Sequence, residues 1–263
     1  MEIKAKKQFG QNFLIDKTIL NKIIQAMPDT KSLTLVEIGP GLGDLTIELL
    51  KIDKLKAYEV DRDLFKHLKF VFKEEIEKNR LELIEGDVLE FWQKDKSLCE
   101  KSYLLVANLP YYITTPIIEN VLEDANCLGA IVMIQKEVAQ KISANCGSSN
   151  YTSLSVLTQA FGSVEIVSDV FPESFNPPPK VISSVVKLTK KHFEDKNISA
   201  FAFLKYLKKA FLAPRKTLFK NLSNSYEKAF VLQLFIDFGI EQNLRPHQIS
   251  VDIHFRLFNK LKN

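Results

Sequence analysis

The sequence is poor in the residues from which disulfide, redox and metal chemistry are built. Its cysteines, Cys99, Cys127 and Cys146, are odd in number and far apart, with no Cys-x-x-Cys pair. That spacing excludes a disulfide framework and a paired-thiol metal or redox site, and leaves reduced, mostly structural thiols. Histidine is as scarce: His67, His192, His247 and His254 form neither His-x-x-x-His nor His-Glu-x-x-His, so metal catalysis finds no support. Long apolar runs are missing too. No stretch approaches the roughly 18 residues of a membrane span, and the opening MEIKAKKQFGQNF carries charge without a hydrophobic signal core, so we expect a cytoplasmic protein. Nor is there a large excess of one charge, since 36 Lys and Arg against 32 Asp and Glu leave +4.

What is present is a chain of 263 residues, 46% hydrophobic and 26% charged, enough for one large core and a smaller module. The basic residues are unevenly placed. Residues 201–228 carry Lys205, Lys208, Lys209, Arg215, Lys216, Lys220 and Lys228 against the single acid Glu227, a concentration suited to phosphate contacts or to a solvated helix face. Arg215, Lys216 and Lys220 are the candidate phosphate contacts.

Short apolar runs alternate with longer amphipathic ones from residue 14 to residue 188. Residues 33–38, 55–60, 81–84, 103–107 and 128–134 read as strands, and 42–50, 61–78, 115–123 and 135–144 as helices, the order of a doubly wound α/β domain. Residues 163–171 and 181–188 read as two further strands, joined by the proline-rich SFNPPPK as a hairpin at the sheet edge. Composition shifts at KKHFEDKN, 190–197, into Phe- and Leu-rich text without strand alternation. We therefore expect a catalytic domain over 1–190 and a small helical domain over 191–263.

Three strand ends carry chemistry. After the first come Gly39, Gly41 and Gly43, which let a turn pass close to a ligand; a dinucleotide fingerprint starting at Gly39 would need glycine where Asp44 stands. An acid there opposes a pyrophosphate and suits a cofactor bearing an ammonium. The second strand ends at Glu59, about twenty residues on, where a carboxylate accepts ribose hydroxyls. Asp87 follows the third strand and is a candidate acceptor for an adenine amine, although Asp61 and Asp87 also read as helix caps. The fourth strand runs into Asn108-Leu109-Pro110-Tyr111-Tyr112. There the Asn108 side-chain carbonyl and the Leu109 backbone carbonyl converge on an exocyclic amine, Pro110 fixes the chain, and Tyr111 offers a face to a base. Two acceptors on that amine favour its pyramidal, nucleophilic form, ready for an electrophilic methyl. Phe175 is the candidate for an opposing stack.

The motifs QFGQNFLID (8–16), EIGPGLGDLT (37–46), EVDRD (59–63), NLPYYITTP (108–116), FNPPPKVISSVV (175–186), PRKTLFKNL (214–222) and LRPHQIS (244–250) follow one another in order. Together they resemble the ribosomal RNA adenine dimethyltransferase family, most closely its bacterial small-subunit 16S branch. The resemblance implies a class I S-adenosylmethionine-dependent methyltransferase: a Rossmann-like, seven-stranded, mainly parallel sheet with a C-terminal all-helical domain. It implies four methyl transfers from S-adenosyl-L-methionine to the N6 amines of two adjacent adenosines in the 3′-terminal hairpin loop of 16S rRNA, within an immature small subunit, by a monomer. It adds Asn12 and Leu14 to Gly39, Gly41, Glu59, Asp87 and Asn108 around the cofactor, and puts the target adenine on Asn108, Leu109, Pro110 and Tyr111 with Phe175 stacked upon it. Two departures bear on RNA docking. Ala213-Pro214 precedes Arg215-Lys216 where the family usually has two arginines before the lysine, so that a helix is expected to begin there, and His247 stands where Glu is common. The competing readings are a 23S rRNA adenine dimethyltransferase of the macrolide-resistance type, which shares the NLPY site, and a non-catalytic assembly or transcription factor on the same fold.

Overall fold

The structure, a computed structural model, describes residues 6, 10–29, 33–191 and 199–262. Gln8 and Phe9 of the first motif, and residues 192–197 of the compositional shift, lie outside them. The strands are β1 (Phe13–Leu14), β2 (Thr34–Ile38), β3 (Leu55–Glu59), β4 (Leu81–Glu85), β5 (Tyr103–Asn108), β6 (Cys127–Gln135), β7 (Gly162–Val170), β8 (Phe175–Asn176) and β9 (Ser183–Lys190). Seven of them form one sheet in the order β4-β3-β2-β5-β6-β9-β7, and β1 pairs with β8 in a separate two-stranded ribbon. The strands from β4 to β6 are parallel, whereas β9 runs antiparallel to β6. The seven-stranded, mainly parallel Rossmann-like sheet expected from the motifs is the one observed.

The central strands explain themselves. Five successive residues of β5, Tyr103 to Ala107, are buried, as expected where both faces of a parallel strand are covered. Leu35, Leu104, Val106, Ile131, Met133 and Val185 of the sheet share a core with Ile19, Leu20 and Ile23 of the helix Lys17–Ala26 and with Leu45 and Leu49 of the helix Asp44–Leu50. Each such side chain contributes roughly 1.5–3 kcal/mol by leaving water. Because β2 leads to β3 on one side while β5 lies on its other side, the chain reverses direction in the sheet between β2 and β5. Open α/β sheets bind ligands at the carboxyl ends beside that reversal.

Local differences from the sequence reading have physical causes. The expected helix over 61–78 is two, Arg62–Val71 and Lys73–Glu77, broken at Phe72, whose φ of −103° and ψ of 28° turn its ring into the core. The helix Lys17–Ala26 was not anticipated, although Asp16 caps it by accepting from the Thr18 N–H. The helix Val88–Asp95 is capped in the same way by Asp87. The helix Ser153–Phe161 buries Ser155, Val156, Leu157, Thr158, Ala160 and Phe161, nearly its whole circumference, and so shows no amphipathic stripe.

The chain separates into two compact units, 1–139 with 165–190, and 140–164 with 191–263. Residues 140–164 cluster with the C-terminal residues in the second of these units. In the second unit Phe203 is ringed by Phe161, Tyr206, Phe255 and Phe258, with ring centroids 5.3–6.0 Å away. His254 is fully buried there between the Tyr206 hydroxyl and the Pro246 carbonyl, each at 3.1 Å, and burial pushes its pKa down to about 4.

Candidate active site

At the reversal point the carboxyl ends of β2, β3, β4 and β5 surround an open cleft, the place where such sheets take their ligands. Asn12, Leu14, Gly39, Gly41, Glu59, Asp87, Asn108, Leu109, Pro110 and Tyr111, singled out from the sequence, all line it. The glycine turn shows why it must be glycine. Gly43 has φ +96°, and a Cβ there would lie 2.6 Å from the Phe72 ring, so that this glycine admits the side chain that breaks the neighbouring helix. Gly41, at φ +63°, leaves space taken by Phe13, whose ring would lie 3.1 Å from a Cβ. The residues excluded at these two positions are thus the protein's own.

Glu59 is 3% exposed and has no cation beside it in the described contacts. Its Oε1 accepts the Asp61 N–H at 2.8 Å and its Oε2 the Gly41 N–H at 3.3 Å. Burial lifts its pKa to about 7 despite those bonds. Asp87 faces the same cleft while its Oδ1 accepts the Leu89 N–H at 2.9 Å, so the cap and the cleft position coexist in one residue. Asn108 donates from Nδ2 to the Asn12 carbonyl at 3.2 Å, which leaves its Oδ1 as the acceptor at the cleft. Pro110 then delivers Tyr111 into a 3-10 turn over Tyr111–Ile113.

Phe175 is not among the residues that the structure brings to the cleft. It is 3% exposed, pairs with Leu14 in the β1–β8 ribbon and packs in the hydrophobic core. The helix expected at Pro214 is also absent: Pro214, Arg215 and Lys216 lie in turns, and the helix Leu218–Leu222 starts after Thr217, which caps it by accepting the Lys220 N–H. The buried Asn221 side chain holds that loop, accepting the Ala213 N–H and donating to the Ala213 carbonyl, both at 3.1 Å. Arg215, Lys216 and Lys220 are exposed, in the second compact unit.

Several cleft residues escaped the sequence reading. Glu37, two positions before the glycine turn, is 1% exposed, accepts the Thr46 hydroxyl at 2.7 Å, and is pushed by burial to a pKa of about 8, with the Glu59 charge adding to the rise. Its acidic place in the quoted motif was the available signal. Gln11 lines the cleft and donates to Asp61 at 2.8 Å, where Lys6 also binds Asp61 and Asp63 at 2.6 Å each. Burial alone would raise the Asp61 carboxyl, but the bonds from Lys6, Gln11 and the Asp63 N–H outweigh it and hold the pKa low.

A buried, uncharged-partnered acid at the end of β3, a glycine turn at the end of β2 and an acid after β4 match a cofactor with ribose hydroxyls and an adenine rather than a pyrophosphate. A polar strand end with two carbonyl acceptors at β5 matches an amine on a base. The fold and cleft therefore define a Rossmann-like S-adenosyl-L-methionine-dependent methyltransferase.

Residues 2–263 match the family described as ribosomal RNA adenine dimethylase, and the chain belongs to that family. It is 49% identical over 261 residues, 99% of this chain and 96% of the relative, to ribosomal RNA small subunit methyltransferase A of Campylobacter jejuni. The protein of the same name from Aliarcobacter butzleri is 47% identical over 100% of this chain and 98% of its own length. Among solved structures, a dimethyladenosine transferase from Plasmodium falciparum superposes with a TM-score of 0.78 at 29% identity, covering 94% of this chain and 98% of that one. The 23S rRNA methyltransferase ErmE gives 0.70 at 25% identity, over 96% and 100%.

Proposed function

We propose that this chain dimethylates the N6 amines of two adjacent adenosines in the 3′-terminal hairpin loop of 16S rRNA during small-subunit biogenesis, using four S-adenosyl-L-methionine in all. The observation that carries the chemistry is the Asn108–Asn12 bond of 3.2 Å, which orients the side-chain carbonyl as acceptor beside the Leu109 carbonyl. The choice of RNA rests on relatives 44–49% identical along nearly the whole chain, each named a small subunit methyltransferase, against 25% for the large-subunit enzyme.

Glu59 takes the ribose hydroxyls and Asp87 the adenine amine, while Gly39 and Gly41 line the cofactor's place and Asn12 and Leu14 close the cleft. When bound, the cofactor supplies an electrophilic methyl on a sulfonium. Asn108 and Leu109 accept the hydrogens of the target amine, which withdraws its lone pair from the ring and presents it to that methyl. No side chain has to remove a proton first, because the nitrogen becomes acidic once methylated and its proton passes to water. The Tyr111 hydroxyl is engaged with Ser183 Oγ at 2.7 Å, which leaves the ring to serve the base. Arg215, Lys216 and Lys220 contact RNA phosphates. The protein acts as a cytoplasmic monomer on an immature subunit, in keeping with the fact that no helix of the described residues is long and apolar enough to cross a membrane.

The test incubates the protein and labelled S-adenosyl-L-methionine with unmethylated small subunits and, separately, with large-subunit RNA, then maps methylation by primer extension. Stops at two adjacent adenosines near the small-subunit RNA 3′ end are expected. Label on a single large-subunit adenosine, or none on either RNA with cofactor binding intact, overturns the proposal.

A further inference from the structure

Resting on the reading of Tyr111 as the platform for the target base, we propose that Ser183 is a positioning residue for methyl transfer. Its Oγ lies 2.7 Å from the Tyr111 hydroxyl and tethers the ring before the base arrives.

Topology makes the contact possible. Parallel strands present only their carboxyl ends to the cleft, and β9, being antiparallel to β6, brings its first residue to that same edge. Ser183 pairs with Gln135 at the end of β6, while Asn108 at the end of β5 pairs with Met133. A residue 72 positions beyond Tyr111 thereby reaches the far end of its side chain. The tether matters because Tyr111 sits in a short 3-10 turn, outside the strand ladder that holds Asn108. A ring on such a turn is fixed by its contacts more than by its backbone.

Ser183 is fully buried in a strand that continues Ser-Val-Val-Lys-Leu. A hydroxyl in that setting costs stability unless it is bonded, and alanine would serve packing alone. The adjacent Ser184 is engaged elsewhere: its Oγ donates to Asp169 at 2.8 Å, and Asp169 also takes Lys136 at 2.6 Å. Successive residues of a strand face opposite ways, so one serine secures β9 while the other reaches the site.

The experiment compares Ser183→Ala, Tyr111→Phe and the double variant by steady-state methylation of small subunits, cofactor affinity by calorimetry, and thermal melting. Each single change should lower kcat about threefold to tenfold with KM for RNA and cofactor Kd near wild type, Tm should fall modestly because one hydroxyl of the pair is left without its partner, and the double variant should be no slower than the slower single one. In tyrosine-labelled protein without RNA, a slowly exchanging Tyr111 hydroxyl proton resonance should be present and should vanish in Ser183→Ala. A wild-type kcat in Ser183→Ala, losses that multiply in the double variant, or a loss that tracks cofactor affinity overturns the proposal. Wild-type protein inactive on small subunits would refute the functional reading instead. The hydroxyl resonance then judges the tether: its absence from wild type overturns it, and its loss only in the variant supports it.

Discussion

Replacing Glu59 by glutamine should move cofactor affinity and the stability of the free protein in opposite directions. Burial raises the Glu59 carboxyl from an ordinary 4.5 to about 7. A raised carboxyl is at no disadvantage below its unfolded pKa, and its cost to folding grows as pH climbs from 4.5 through 7. At 1.36 kcal/mol per pH unit the full cost above pH 7 is about 3 kcal/mol. Glutamine does not ionise and escapes it, but its amide nitrogen cannot accept the N–H of either Gly41 or Asp61, which removes about 1 kcal/mol. The variant should therefore be more stable than wild type by about 2 kcal/mol at pH 8, roughly 4–8 °C in Tm, and not at pH 5. Hydrogen bonds to a charged acceptor are worth about 1 kcal/mol more than neutral ones, so losing the charge opposite two ribose hydroxyls should weaken S-adenosyl-L-methionine by about 2 kcal/mol, roughly 30-fold in Kd. Melts at pH 5 and 8 and calorimetric titration measure both. A variant that melts below wild type at pH 8, or binds cofactor within threefold of it, would refute the assignment of Glu59.

Further expectations follow from the same geometry. Glu37, raised from 4.5 to about 8, and Glu59, raised from 4.5 to about 7, both make the free protein lose stability as pH climbs from about 4.5 to those values, while the lowered Asp16, Asp61 and Asp169 make it lose stability as pH falls below about 4, so Tm should peak between about pH 4 and 5. A Tm that rises from pH 6 to pH 8.5 contradicts this, and Glu37→Gln should flatten the alkaline limb. Asn108→Ala should reduce kcat about 100-fold by removing one acceptor from the target amine, and unchanged turnover would dismiss its role. Neutralising Arg215, Lys216 and Lys220 together should shallow the salt dependence of RNA affinity by about 2 in log–log slope while cofactor Kd holds; an unaltered slope removes the RNA surface. Gly43→Ala forces a Cβ within 2.6 Å of the Phe72 ring at φ +96°, and should destabilise by about 1–3 kcal/mol in denaturant titrations, with a neutral result pointing to a turn that relaxes.

The parallel sheet was legible because its strands are buried on both faces and so appear as uninterrupted apolar runs such as Tyr103 to Ala107. Glu59, Asp87 and Asn108 were legible because strand ends recur at the edge where such sheets bind ligands. The helix Ser153–Phe161 was not, since burial all round erases the helical period. The burial of Phe175 was not legible because it comes from a two-residue ribbon, which no periodicity can announce. Ser183 and Gln11 were missed for a related reason. Their importance lies in partners 72 and 50 positions away, Tyr111 and Asp61, and those contacts exist only once the sheet order is known.

The β1–β8 ribbon has a consequence for how the chain is made. Phe13 and Leu14 leave the ribosome early, yet their backbone partners, Asn176 and Phe175, are more than 160 residues behind them. At a synthesis rate of roughly 5–20 residues per second, the first strand waits about 8 to 30 seconds without its mate, while β2 to β6 can already pair. The wall that Asn12 and Leu14 give the cleft is therefore among the last parts of the catalytic unit to close, and a nascent chain cannot hold its cofactor in the finished cleft until the proline-rich loop has emerged.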